Sequence, residues 1–376
     1  MTTAIGISPL ITFTPPGERT APSPAEFRGI ARDEVRLLVG GAGDGGDRVR
    51  HTHFRDLADH LDPGDLIVVN TSQTVAGEAD ARLSGAGQAT VDVVVHVAMD
   101  LRDGTWVVEV RTAPDASRSV LDAAPGQVLT FTAVDGAATL TLLDPYPRTG
   151  SSPTGEGNRL WRAVYAGDEA LRDVLARVGR PIAYGYLDQR YALADYQTIF
   201  GTTPGSAEMP SASRPFTPEV VTRLVSRGVG IAPVLLHTGV SSQEVGEAPQ
   251  PEWFEVGEST ARLVNSTRAG GGRIIAVGTT VTRALESAVA AGSGLLEASS
   301  GWTERVVTRE HPARIVDGLI TGWHDPQASH LLLVESIAGE ELAQMAYDAA
   351  VDSGYRWHEF GDSALFLPAR AEAAAA

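Results

Sequence analysis

Two apolar runs, Val35 to Val39 and Leu66 to Asn70, are each one strand long. Between them Phe54 to Leu61 has the spacing of a short helix, and Pro63-Gly64-Asp65 turns the chain. From Asn70 to about Tyr165 the texture is all β, with runs at 79–83, 90–98, 106–111, 127–133 and 138–143 split by Gly- and Asp-containing turns. Five or six short strands at that spacing predict a small antiparallel barrel. Helical periodicity returns after Asp168, a candidate N-cap, with Leu171, Val174, Leu175 and Val178 on one face.

Beyond Pro218 the pattern predicts helix 219–227, strand 230–236, helix 256–269, strand 273–277, helix 281–291, strands 313–320 and 330–335, and helix 339–352. Such alternation indicates an α/β domain. The strands at 35–39 and 66–70 join it, which makes the β-rich middle an insertion. The expected fold class is therefore α/β, with a main domain from residues 1–70 and 166–376 and an inserted barrel at 71–165. Residues 1–25 read as an extended arm and 148–159 as a loop. The irregular stretch 182–217, rich in Tyr, Ser and Pro, suits a binding loop or a surface excursion.

One stretch carries candidate chemistry. In GGGRIIAVGTTVTRALES (270–287) a buried strand meets a helix through Gly278, Thr279 and Thr280. A strand–turn–helix link of this kind turns unpaired N–H groups and hydroxyls toward one crevice, which suits a polar or anionic ligand group. The same pattern also serves as an ordinary structural link.

Composition narrows the chemistry. The 376 residues include no cysteine, which excludes disulfides, thiolate catalysis and Cys-ligated metals. All 30 basic residues are arginine, so a Schiff-base or Walker-type lysine is impossible. No apolar run reaches the roughly 18–20 residues of a membrane span. The first residues have no signal-peptide pattern, so a cytoplasmic protein is expected. A net charge of −17 disfavours nonspecific contact with nucleic acid. Gly41, Gly43 and Gly46 match G-x-G-x-x-G, but the polar, β-like residues that follow indicate a hairpin tip, not a dinucleotide site. His51 and His53 alternate without an obvious third ligand, and no metal is expected.

Seven blocks in order carry a resemblance: FRDLADHLDPGDLIVVN (54–70), DYQTIF (195–200), PGSAEMPSA (204–212), LLHTG (235–239), GGRIIAVGTTVTRALES (271–287), VDGLITGWHDP (316–326) and YRWHEFGDSALFL (355–367). Together they resemble the S-adenosylmethionine:tRNA ribosyltransferase-isomerase family of queuosine biosynthesis, over nearly the whole chain. The resemblance implies S-adenosylmethionine as co-substrate and ribosyl donor, and tRNA as partner. The ribosyl group passes to, and isomerises on, the aminomethyl group of a wobble 7-deazaguanine, giving epoxyqueuosine with loss of adenine and methionine. It also implies an α/β domain with an inserted β-barrel.

That chemistry needs a base, an acid to help adenine leave, and a partner for the sulfonium cation; histidines and carboxylates supply proton transfer near neutral pH. The resemblance carries over Asn70, His237, Gly239, Gly278, Thr279, Thr280, Arg283, Glu286, Asp317, His324 and Asp362. His324 is the leading proton-transfer candidate and His237 the second, with Asp317 a catalytic candidate or a structural hydrogen-bonding carboxylate. Thr279, Thr280 and Arg283 would hold donor hydroxyls or the methionine carboxylate, although Arg283 and Glu286, three apart on one helix, could simply pair.

Departures from the family pattern fall at Thr71 to Glu78, Ser213 to Pro215, Ser241 to Gln243, and Gln327 with Ala328. Gln73 and Glu78 stand where the family has arginine, and Gln327 where it has lysine. Their loss predicts weak, salt-insensitive tRNA binding. It leaves open a paralogue with a small-molecule acceptor, or a binding protein without turnover.

Overall fold

The computed structural model describes residues 6–14, 17, 20–41, 48–87, 89–147, 156–240, 247–326 and 328–369. Gly43, Gly46, positions 241–243, Gln327 and most of the 148–159 loop lie outside these residues.

Strands β1 (Arg36–Gly41), β2 (Val49–His53) and β3 (Leu66–Asn70) come first, followed by the short β4 (Ser72–Thr74). Strands β5 (Glu78–Ser84), β6 (Val91–Asp100), β7 (Thr105–Thr112), β8 (Val128–Phe131), β9 (Ala138–Pro145) and β10 (Leu160–Gly167) close into an antiparallel barrel. Helix α1 (Leu171–Val178) plugs against it through Leu171, Val174 and Leu175. Next come β11 (Thr203–Ser206), α2 (Pro218–Ser226), β12 (Gly230–Leu236), β13 (Glu252–Val256), α3 (Glu258–Ala269), β14 (Ile274–Val277) and α4 (Thr279–Ser287). The chain ends with β15 (Ser299–Thr303), β16 (Gly318–Gly322), α5 (Ser329–Ala338), α6 (Glu340–Asp352) and β17 (Ser363–Leu367).

Nine of these strands form one mixed sheet in the order β15-β13-β12-β3-β14-β16-β17-β1-β2, with β12, β3, β14 and β16 parallel. Every residue of β3 is buried, as a central strand covered on both faces requires. Its alternation divides the core: Leu66 and Val68 pack with α3–α6, while Ile67 and Val69 pack with α2 and Phe54, Leu57 and Phe216. A smaller apolar seam of Met99, Val107, Leu160, Ile182, Ala207 and Val240 joins the barrel to the sheet domain. The α/β class with a barrel inserted between N- and C-terminal strands is thus the observed architecture.

Several local expectations are corrected. Residues 330–335 are helical, within α5, because the run LLLV followed by Ile337 and Ala338 is buried nearly all round. A continuous apolar run does not distinguish a buried helix from a buried strand. Strand 313–320 begins only at Gly318, since Glu286 Oε1 holds the N–H groups of Arg314, Ile315 and Val316 in a loop. Helix 281–291 starts earlier, at Thr279, and stops at Ser287. Asp168 does not cap α1, whose N-cap is Ala170. Strands β13, β15 and β17 were not foreseen at all. His51 turns its Nδ1 to the Tyr355 hydroxyl at 2.9 Å, and among the described residues no group of three or more metal-ligating side chains converges.

Candidate active site

The carboxyl ends of β3, β12, β14 and β16 lie along one edge of the sheet, where open α/β sheets bind their ligands. A cavity of about 500 Å³ opens there, beside the inserted barrel's seam with the sheet domain. That volume falls within the range of about 300–1,000 Å³ typical of small-molecule sites. Five segments of the carboxyl half supply much of its wall: 249–252, 277–283, 305–307, 321–325 and 328–333. The 184–186, 208–212, 238–240 and 358–359 segments complete it.

Of the candidates singled out in the sequence, Gly278, Thr279, Thr280, Arg283 and His324 line this cavity, as does Gly239. Gly278 sits at φ 90° and ψ 162°, a conformation suited to glycine, and an added Cβ would meet Ala212 Cβ at 3.3 Å. It turns the chain so that Thr279 and Thr280 occupy the first turn of α4, with that turn's unpaired N–H groups beside the cavity.

Arg283 is positioned differently from expectation. Its guanidinium pairs with Glu252 and donates to the carbonyls of Gln250 at 2.7 Å, Thr303 at 3.2 Å and Arg305 at 3.2 Å. It therefore ties the 250–252 and 303–305 segments together and does not pair with Glu286. Nearby, Arg305 lines the cavity with a buried Nε that has no hydrogen-bond partner among the described residues.

His324 follows β16 directly. Its Nε2 lies 3.0 Å from Thr321 Oγ1, and its ring stacks on His330 with centroids 4.7 Å apart and planes 7° off parallel. Burial, with His330 and His358 close by, drives the His324 pKa well below the ordinary imidazole value. Burial and Arg283 push His330 down to about 4. Both rings are therefore neutral at pH 7, able to accept a proton or a hydrogen bond.

The remaining candidates stand apart from the cavity wall. Asn70 joins strand ends: its amide donates to Leu236 O at 2.8 Å and accepts from the N–H of Leu236 and Ser72, each at 3.0 Å. His237 bonds Ser72 Oγ at 2.8 Å, and burial with Arg102 and Arg172 pushes it down to about 4. Asp317 lies at the opposite end of the strands, where it accepts the Ile274 N–H at 2.8 Å. Glu286 is at that end too, holding the 314–316 loop. Asp362 accepts from the Arg36 guanidinium and from the N–H groups of Arg36 and Arg356.

The cavity also contains groups that the sequence reading passed over. Tyr184 donates to Glu208, and Tyr186 stacks on His358 at 4.6 Å and 14°. Glu252 accepts the Gly239 N–H at 3.1 Å, and burial raises its pKa despite Arg283. Burial and the nearby Glu208 push Glu359 up to about 8. Glu208, His358 and Glu359 all fall within the blocks PGSAEMPSA and YRWHEFGDSALFL, and the tyrosines within the aromatic 182–217 stretch, so a signal was present.

Comparison with known proteins adds the following. Residues 10–366 match the family model described as queuosine biosynthesis protein. The S-adenosylmethionine:tRNA ribosyltransferase-isomerase of Gloeobacter violaceus is 36% identical over 356 residues, covering 93% of this chain and 92% of its own length. The enzyme of the same name from Desulfitobacterium hafniense is 33% identical over 364 residues, covering 94% and 98%. The crystal structure of an S-adenosylmethionine tRNA ribosyltransferase from Thermotoga maritima superposes with a TM-score of 0.50 at 26% identity, covering 94% of this chain and 99% of that one.

Proposed function

The chain belongs to the S-adenosylmethionine:tRNA ribosyltransferase-isomerase family, and from that premise we propose how its cavity serves the family's reaction. The activity is transfer and isomerisation of the ribosyl group of S-adenosylmethionine onto 7-aminomethyl-7-deazaguanine in tRNA, forming epoxyqueuosine. One observation carries the placement: the cavity at the carboxyl edge gathers the Gly278-Thr279-Thr280 turn, two neutral histidines, aromatic faces and carboxyls. That set of groups fits a ligand with a nucleoside, a zwitterionic tail and a cationic sulfur. In this reading residues 1–70 and 166–376 form the donor-binding domain, 71–165 form the barrel insertion, and the reaction takes place in the cytoplasm.

When bound, S-adenosylmethionine supplies an activated ribosyl carbon next to a sulfonium. The chain's own residues supply position and proton transfer. Thr279 and Thr280, with the open N–H groups of α4, hold polar or anionic groups of the donor. Arg283 fixes the wall by which Glu252 and Gln250 stand, and Arg305 offers its Nε. His324, kept neutral by burial, accepts a proton, and Thr321 holds its ring. Asn70, His237, Asp317, Glu286 and Asp362 are positioning residues that fix the strand ends and loops around the cavity.

The test is incubation with S-adenosylmethionine and tRNA carrying the 7-aminomethyl-7-deazaguanine base, with mass spectrometry of the nucleosides and of free adenine. Epoxyqueuosine with adenine release is expected. Adenine release without modified tRNA would instead favour a small-molecule acceptor, and no release would leave a binding protein.

A further inference from the structure

Glu359 occupies an unusual turn. His358, just before it, has a φ of 66°, a left-handed conformation that a non-glycine residue holds at some strain. That turn directs both the His358 ring and the Glu359 carboxyl to the cavity, where the ring is sandwiched onto Tyr186. The Tyr186 hydroxyl hydrogen-bonds the Glu359 carboxyl, but its Oε1 is buried and has no hydrogen-bond partner among the described residues. On the same wall Gln250 is 8% exposed, and among the described residues neither its amide oxygen nor its amide nitrogen has a partner. Buried polar atoms left open are rare in folded proteins, and at a cavity they mark where a ligand completes the hydrogen bonding.

Cationic partners are provided elsewhere in this cavity but, among the described residues, not here. Glu252 has Arg283. The Arg214 guanidinium that acts on Glu359 at longer range is itself bonded to Glu26 and to the carbonyl of Asp195. The groups facing Glu359 are Glu208, Tyr186, Tyr196 and Arg214 from other segments, with His358 beside it.

We infer that Glu359, backed by Glu208 and the aromatic face of Tyr186, is the counter-charge that recognises the sulfonium of S-adenosylmethionine and selects it over the neutral thioether. This rests on the donor reading of the cavity and deepens it. A carboxyl desolvated beside another carboxyl resists ionising by itself, and a cation arriving next to it removes that resistance. Aromatic faces add to the preference, since they attract sulfonium and ammonium groups and are indifferent to a thioether. The same arrangement explains why the turn tolerates strain: a relaxed backbone at His358 would point Glu359 elsewhere.

The experiment is calorimetric titration of the full-length protein with S-adenosylmethionine, with S-adenosylhomocysteine, and with an analogue bearing an amine in place of the sulfonium. The wild type is expected to prefer both cationic ligands over the thioether by about tenfold or more. Repeating the titration in buffers of different ionisation heat should show proton release on binding a cation. Glu359→Gln keeps the shape and is expected to retain thioether affinity while losing the preference and the proton release. Tyr186→Leu should reduce the preference by a smaller factor. An unchanged preference in Glu359→Gln would overturn the inference while leaving the donor reading intact. Failure of all three ligands to bind the wild type would overturn the donor reading, and the inference with it.

Discussion

Two sets of carboxyl groups are taken out of water in this molecule, and their surroundings push them in opposite directions. In the barrel, Glu78 accepts from Arg180 at 2.7 Å and pairs with Arg190 at 2.6 Å, while His96 lies 3.2 Å away. Glu109 accepts from Arg111 at 2.6 Å, Ser119 at 2.7 Å and Arg159 at 3.2 Å. Burial alone would raise both; hydrogen bonding to His96 and the charge of the arginines outweigh it, and both fall to about 2. In the cavity, burial and Glu208 win, and Glu359 rises to about 8. The barrel carboxylates are satisfied by their own protein and hold structure. The cavity carboxyl is left incomplete, the condition expected where a ligand supplies the missing charge.

The comparison also reinterprets one departure from the family pattern. Glu78 stands where the resemblance implied an arginine and hence a lost phosphate contact. Yet it is wholly buried and draws Arg180 and Arg190 to itself. The position thus keeps two guanidiniums next to it, one of them on the aromatic 182–217 stretch.

The contrast can be broken most sharply at His324. Turnover of His324→Ala should fall by about 100- to 10,000-fold with donor affinity little changed. Single-turnover rates and calorimetry separate the two; wild-type turnover would make His324 structural and move proton transfer to another group.

Stability gives the next test. Glu109→Gln leaves Arg111 and Arg159 buried without their shared partner and should cost about 3–5 kcal/mol in urea unfolding. Glu359→Gln should not destabilise, and near neutral pH should stabilise, because no ion pair is lost and a carboxyl that resists ionising in the fold gives way to a neutral amide. Equal losses at both sites would erase the distinction.

A ligand should act on one region only. S-adenosylmethionine at about 100 times its dissociation constant should add about 2.7 kcal/mol to the stability of the wild type. Hydrogen exchange should slow in 277–283 and 321–333 and stay unchanged in the barrel strands.

Acid should read the two sets with opposite slopes. Glu78 and Glu109 have folded pKa values below the unfolded carboxyl value of about 4.3. Their contribution is complete above that value and is lost as pH falls toward about 2. Glu359 has a raised folded value, so its contribution is greatest at low pH and declines as pH rises from about 4.3 to about 8. Melting curves across pH should lose part of the acid limb in Glu109→Gln, Glu78 keeping the rest, and the upper limb in Glu359→Gln.

The smallest expected effect concerns RNA. With a net charge of −17, filter binding to tRNA at two salt concentrations should show a shallow slope. Arg190→Ala should flatten it by about one further charge if that side chain meets phosphate. A steep wild-type slope would mean that scattered arginines rebuild a full patch.

Much of the fold was legible because its signals are local. The barrel strands alternate with period two, and α2 carries its own start, with Pro218 at the first position and Thr217 accepting the Val220 N–H at 3.2 Å. β13, β15 and α5 were missed or misread because their burial comes from neighbours far along the chain. β13, for example, lies between β12 and β15, almost fifty residues apart from the latter. The Gly278-Thr279-Thr280 turn was legible as a candidate site, since a Gly-Thr-Thr link between a buried strand and a helix is a local signal, and it does line the cavity. Glu208 and Glu359 were not, because nothing in a sequence tells whether a glutamate will be in water or beside another glutamate.

By itself, then, the sequence determined the class of fold, the insertion, the family and the absence of thiol and lysine chemistry, all of which follow from residue types and short-range periodicity. Tertiary structure decided which candidates share a space. It brought together Thr279, Thr280, Arg283 and His324, and sent Asp317 and Glu286 to the opposite end of the strands. It also decided each carboxyl's charge, because ionisation depends on desolvation and on charges a few ångströms away, which only the folded chain brings into range.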